Sequence, residues 1–136
     1  MGEIGHSLAT LRLFGDDLMP EEISALLGAD PTKACWNGQE IVGRTTGTVR
    51  IAKIGSWRLS AARREPEDLE AQILEILDQL TPDLAVWKSL ARYSPDMFCG
   101  IFMASGNDVL CLSAKASLAL GERGIALALD IYDASE

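Results

Sequence analysis

The sequence predicts one α+β domain, a mixed or mainly antiparallel sheet with helices packed mostly on one face. Three observations carry that expectation. Residues 8–14 and 125–131 alternate apolar and smaller or polar side chains with a period of two, residues 69–80 repeat apolar side chains every three or four positions, and short β-prone pieces separated by turn residues fill 30–62. Strands and helices therefore neither alternate as regular βαβ units nor form an all-β meander, and a ferredoxin-like variant is one candidate topology. At 136 residues the chain is long enough to bury one core and too short for two, so the domain is expected to span 1–136 with residues 1–6 flexible.

The first strand is expected over 8–14, with Leu11 and Leu13 on one side and Thr10 and Arg12 on the other. Gly15, Asp16 and Asp17 end it. A short helix follows, because Pro20 suits a first helical turn, Glu21 and Glu22 favour the positive end of the macrodipole, and Gly28 suits a C-terminal cap. Ile23, Leu26 and Leu27 supply its apolar stripe. Between Asp30 and Ala62 the β-prone pieces are 34–36, 43–48, 49–54 and 57–61, which predicts hairpins, with Thr45 and Thr46 between two glycines as the most mobile loop.

Pro66, Glu67 and Asp68 open the best-patterned helix, striped by Leu69, Ile73, Ile76, Leu77 and Leu80. Thr81 is expected to cap a further helix with Pro82 at its first position, burying Leu84, Trp87 and Leu90. Residues 97–103 form a nearly continuous apolar run and predict a strand buried on both sides. Gly106, Asn107 and Asp108 supply turn chemistry before a return strand over 109–112. Ser113 then caps a short helix through Leu120, and Ile125, Leu127, Leu129 and Ile131 line one side of the last strand, with Asp130 on the other.

Composition narrows the function. A formal net charge of −8 opposes polyanionic partners, because Lys and Arg neutralising phosphates supply most non-specific nucleic-acid affinity. Neither nucleic acid nor an anionic membrane surface is expected as a partner. Arg44, Arg50, Lys53 and Arg58 do fall in one stretch, and are read as solvated strand faces. Three cysteines, Cys35, Cys99 and Cys111, allow no complete disulfide framework and fit the reducing cytoplasm. The first residues have no basic segment followed by an apolar one, and no run of about twenty apolar residues occurs, so neither secretion nor membrane spanning is expected.

Several pieces in order look familiar: Leu13-Phe14-Gly15-Asp16-Asp17, Pro20-Glu21-Glu22-Ile23, Leu26-Leu27-Gly28, and Asp30-Pro31-Thr32 with Trp36 and Gly38 soon after. Gly55-Ser56-Trp57-Arg58-Leu59, Phe98-Cys99-Gly100, Leu112-Ser113 and Leu129-Asp130-Ile131-Tyr132-Asp133 continue the series. Together they resemble a family of small, mostly bacterial proteins catalogued as a domain of unknown function, DUF4279. The resemblance implies no activity, substrate or catalytic residue.

Asp16 and Asp17 after the first strand and Asp130 and Asp133 in and after the last would converge on a hard cation only if those strand ends met, and acids after strands are ordinary turn chemistry. The lone histidine, His6, sits in a segment expected to fray and offers no rigid base. Cys99 and Cys111 flank the expected hairpin, and are read as small buried hydrophobes rather than a redox pair. Trp36 and Trp57, beside Lys33, Arg44 and Arg58, border a groove or an edge contact in this reading, whereas Trp87 is core. No phosphate-loop or dinucleotide fingerprint occurs, so neither cofactor nor metal is expected.

The functional expectation is a non-enzymatic protein-binding or interaction module, acting on a protein partner or by self-association. The rival is a small-ligand-binding protein or enzyme with an Arg/Asp-lined pocket, in which Arg12 or Arg58 holds an anion and Asp16, Asp17 or Asp130 acts as base. Convergence of those side chains in one concave pocket separates the two readings.

Overall fold

Alternation in the first strand organises the molecule. In a computed structural model describing residues 4–63, 67–106 and 109–133, that strand, β1 (Ile4–Gly15), is the centre of a five-stranded sheet. With β2 (Lys33–Cys35), β5 (Gly55–Ser60), β6 (Asp96–Met103) and β7 (Ala126–Tyr132), the order is β2-β5-β1-β6-β7. A separate hairpin pairs β3 (Glu40–Val42) with β4 (Val49–Ile51).

β1 runs antiparallel to both neighbours, and β7 alone lies parallel to its partner β6. The sheet is mixed, as expected, but a central strand antiparallel on both sides with the parallel pair at the edge is not the ferredoxin-like arrangement. A parallel neighbour needs a crossover, and helix α4 (Ala114–Glu122) supplies it.

Register fixes which side chains share a face. Leu11 faces Leu59 and Met97, Leu13 faces Trp57, and Ala9 faces Cys99, so one face of the sheet is apolar and these residues are almost fully buried. The helices α1 (Pro20–Leu27), α2 (Leu69–Asp78), α3 (Leu84–Ser89) and α4 close it with Ile23 and Leu27, Ile73 and Ile76, Trp87, and Leu120. Each such side chain contributes about 1.5–3 kcal/mol by leaving water. One polar knot crosses the interface: the Ser7 hydroxyl donates to Gln72 Oε1 at 2.8 Å, and Gln72 Nε2 donates to the Ser7 and Ala62 carbonyls, both at 3.2 Å. Both residues are fully buried, and the exchange of bonds satisfies the amide.

Local chemistry sets the helix ends. Pro20 starts α1 and Gly28 closes it with a left-handed φ of 84°, its N–H reaching the Ser24 carbonyl. Asp68 and Ser113 cap α2 and α4 by accepting from Ala71 N and Ala116 N.

Several expectations are corrected. The first strand starts at Ile4, before residue 8, and His6 lies inside it instead of in a loose end; residues 1–3 lie outside the described segments. The hairpin strands are Glu40–Val42 and Val49–Ile51, while 43–48 is the loop between them, because Gly47 takes a left-handed φ of 66° that ends pairing. Asp83, two residues beyond Thr81, caps α3 by accepting from Ala85 N, and Leu84 is exposed. β6 is buried on one side only: Met97, Cys99 and Ile101 face the helices, whereas Phe98 and Phe102 face away. Residues 109–112 form no strand, since both edges of β6 are already taken by β1 and β7; Asn107 and Asp108 of the expected turn lie outside the described segments.

A basic cleft on the open face as candidate functional site

The four helices leave the other face of the sheet uncovered. Parity places Thr10, Arg12 and Phe14 of β1 there, with Ser56, Arg58 and Ser60 of β5, Lys33 and Cys35 of β2, and Asp96 and Phe98 of β6. The pairing sets Lys33 opposite Arg58, Arg58 opposite Arg12, and Arg12 opposite Asp96, so three cations and one acid form a single row across four strands. Like charges directly opposite each other destabilise a sheet.

Asp96 neutralises one end of that row. Arg12 Nε donates to Asp96 Oδ1 at 2.8 Å and Nη2 to Oδ2 at 2.7 Å, a bidentate fork. These hydrogen bonds hold Arg12 even more firmly protonated than usual, against the opposing effect of burial. The Arg12 guanidinium also lies 4.2 Å from the Phe98 ring centre and 5.3 Å from that of Phe14.

Arg58 has no such compensation. Its guanidinium rests 5.5 Å from the Phe14 ring centre, and its Nε is buried without a hydrogen-bond partner. Above it the β3–β4 hairpin encloses a cleft of about 370 Å³, inside the size range of ligand pockets. Lys33, Arg50, Lys53 and Arg58 line this cleft with a single acid, Glu40. Among the described residues none of these four cations is ion-paired, whereas Arg12, Arg63, Arg92 and Arg123 each hold a carboxylate. The half-buried Cys35 lines the cleft too, its Sγ 3.4 Å from Ser56 Oγ.

The structure separates the other sequence candidates. Trp57 is fully buried on the helix-covered face, donating from Nε1 to Ser24 Oγ at 3.1 Å, and borders no groove. Trp36 is 42% exposed beyond β2 and outside the cleft lining. Asp16 and Asp17 sit exposed on the turn after β1, where Asp17 pairs with Arg92 at 2.6 Å. Asp130 lies opposite Gly100, itself opposite Leu8, and accepts from the Tyr132 hydroxyl at 2.8 Å. Leu8 and Asp16 are eight strand positions apart, about 26 Å, so the acid pairs occupy opposite ends of the sheet. They form no metal site, and among the described residues no group of three His, Cys, Asp or Glu side chains does.

His6 is anchored, with Nδ1 3.0 Å from Glu67 Oε1 and its ring 5.1 Å from that of Phe102. Cys99 is buried and Cys111 exposed, and no hairpin joins them. Lys33, Phe14, Arg50 and Lys53 line the cleft without having been site candidates from sequence, Arg50 and Lys53 having read as solvated strand faces; the available signal was that Phe14 shares the parity of Arg12 along β1.

Residues 4–134 match the model of the family described as Domain of unknown function (DUF4279). No curated protein and no solved structure matches the chain. Among the described residues no helix is long and apolar enough to cross a membrane.

Proposed function

The chain belongs to the DUF4279 family, whose description names no activity, and we propose that it is a non-enzymatic binding module whose cleft receives a negatively charged group of its partner. One observation carries this reading: Arg58 stands between Arg12 and Lys33 in the cross-sheet row, unpaired and with a buried Nε. An anion seated against the Arg58 guanidinium gains charge-assisted hydrogen bonds from it and relieves the repulsion along the row. The net charge of −8 makes such a local basic site stand out against an acidic surface and disfavours a nucleic-acid polyanion as occupant. Three free thiols support a reducing compartment, the cytoplasm.

Catalysis by the acids once paired with this site is not supported by their placement, since Asp16, Asp17 and Asp130 lie away from the cleft lining. The test is thermal denaturation with phosphate, sulfate or citrate against chloride at equal ionic strength. Anions that bind only the folded protein raise Tm, by the equivalent of about 2.7 kcal/mol at a hundredfold excess over Kd. The rise is expected for the native protein and reduced at least tenfold in apparent affinity for Arg58→Gln, which itself melts no lower because it removes a like charge. Equal anion effects on both proteins, or none on either, refute the proposal.

A further inference from the structure

We propose that the ligand of this cleft is a small amphipathic organic anion, a carboxylate or phosphate head on an apolar body; the inference rests on the cleft being the binding site. Beside its cations the cleft is lined by Phe14, Ile41, Val42, Ala52 and Ile54. Val42 is 61% and Ile54 43% exposed. An inorganic ion would satisfy Arg58 and leave this apolar wall in water. A purely apolar ligand would cover the wall and leave Lys33, Arg50, Lys53 and Arg58 uncompensated. Only a molecule with both parts answers both halves of the lining.

The hairpin gives a second, independent reason. Its strands have three residues each, none of them buried, and Val49 and Ile51 of β4 are more than half exposed. A two-stranded hairpin of this kind is marginal by itself. It is held to the loop before it by Gly38 N to Ala52 O at 2.8 Å and Ala52 N to Gln39 O at 2.9 Å. An apolar ligand body under the hairpin supplies the packing its own side chains do not, so occupancy and hairpin order are coupled.

The experiment compares decyl phosphate below its micellar concentration, inorganic phosphate and decanol, by calorimetric titration and by amide exchange over residues 40–51. Each methylene fully buried strengthens binding roughly fourfold. Decyl phosphate is expected to bind at least tenfold more tightly than inorganic phosphate and to slow exchange in the hairpin. Arg58→Gln should weaken binding of both phosphates at least tenfold, and Ile54→Ser should shrink the ratio of decyl to inorganic phosphate affinity. Equal affinity for decyl and inorganic phosphate overturns the amphipathic ligand and leaves the anion site standing. Decanol binding as tightly as decyl phosphate overturns both readings, as does failure of both phosphates and of phosphatidylglycerol vesicles to bind. Binding to phosphatidylglycerol vesicles without binding to monomeric decyl phosphate assigns the head to a bilayer and overturns the small-molecule inference.

Discussion

Gly55→Ala and Gly121→Ala are the same chemical change with opposite expected outcomes. At Gly55, which faces Gly15 across the β1–β5 pairing, a Cβ would stand 2.7 Å from the Gly15 carbonyl oxygen and 2.8 Å from that of Leu18. Both obstacles are backbone, fixed by the turn in which Leu18 N reaches back to Gly15 O at 3.2 Å, so no side chain can rotate away. Overpacking of this kind costs about 1–3 kcal/mol, and with the backbone itself in the way the upper end, about 3 kcal/mol, applies. Unfolding entropy scales to about 0.3 kcal/mol per degree for a chain of this length, so Tm should fall by about 10 °C. At Gly121 in α4 nothing lies within 4 Å of the added carbon. Alanine there gains about 0.5 kcal/mol of helix propensity near a helix end. Both variants restrict the unfolded chain equally, so the difference between them reports the native structure alone. Differential scanning calorimetry reads it directly. A Gly55→Ala protein melting within about 3 °C of the native one would refute the close approach of strand and turn.

Two further outcomes follow from the ionisable groups. Burial, with a smaller contribution from Asp96, pushes the Cys99 thiol up to about 12, so in native protein an aromatic disulfide reagent should label exposed Cys111 first, half-buried Cys35 next, and Cys99 only at the rate of global unfolding; fast modification of Cys99 contradicts the packing. Burial works to raise Glu67, but the hydrogen bonds from His6 and the Ser7 backbone, with the charges of His6 and Arg63, outweigh it and hold the carboxyl below its usual 4.5. A depressed carboxylate contributes stability that is fully present above the unfolded value and is lost as pH falls through the folded one. Urea midpoints should therefore separate native protein from Glu67→Gln at neutral pH and draw together in acid, and a constant gap from pH 7 to pH 3 refutes the linkage.

Features read best from sequence were those decided within one turn of chain. Gly28 and Ser113 mark helix ends through bonds to residues three or four positions away, and Pro20 does so through its fixed φ in the first helical turn. Thr81 before Pro82 reads as a cap, but the structure uses Asp83, while the Thr81 carbonyl accepts from Trp87 Nε1 at 2.8 Å. Residues 109–112 read as a strand because their side chains suit one, but a return strand beside β6 needs a free side of that strand, and β1 and β7 occupy both. Trp57 carried a usable signal, since its parity with Leu59 assigns it to the core, and its basic neighbours masked that. Arg58 was identified as a candidate, yet the row Lys33–Arg58–Arg12 was not, because it exists only once strand order brings residues 12, 33 and 58 together.

The central position of β1 has a consequence for synthesis. It leaves the ribosome before either of its lateral partners, which end at Ser60 and Met103. At about 5–20 residues per second, roughly two to nine seconds separate the emergence of the one partner from that of the other. Throughout that interval a strand bearing Ala9, Leu11 and Leu13 keeps a raw hydrogen-bonding edge, which is open to non-native pairing until β6 seals it.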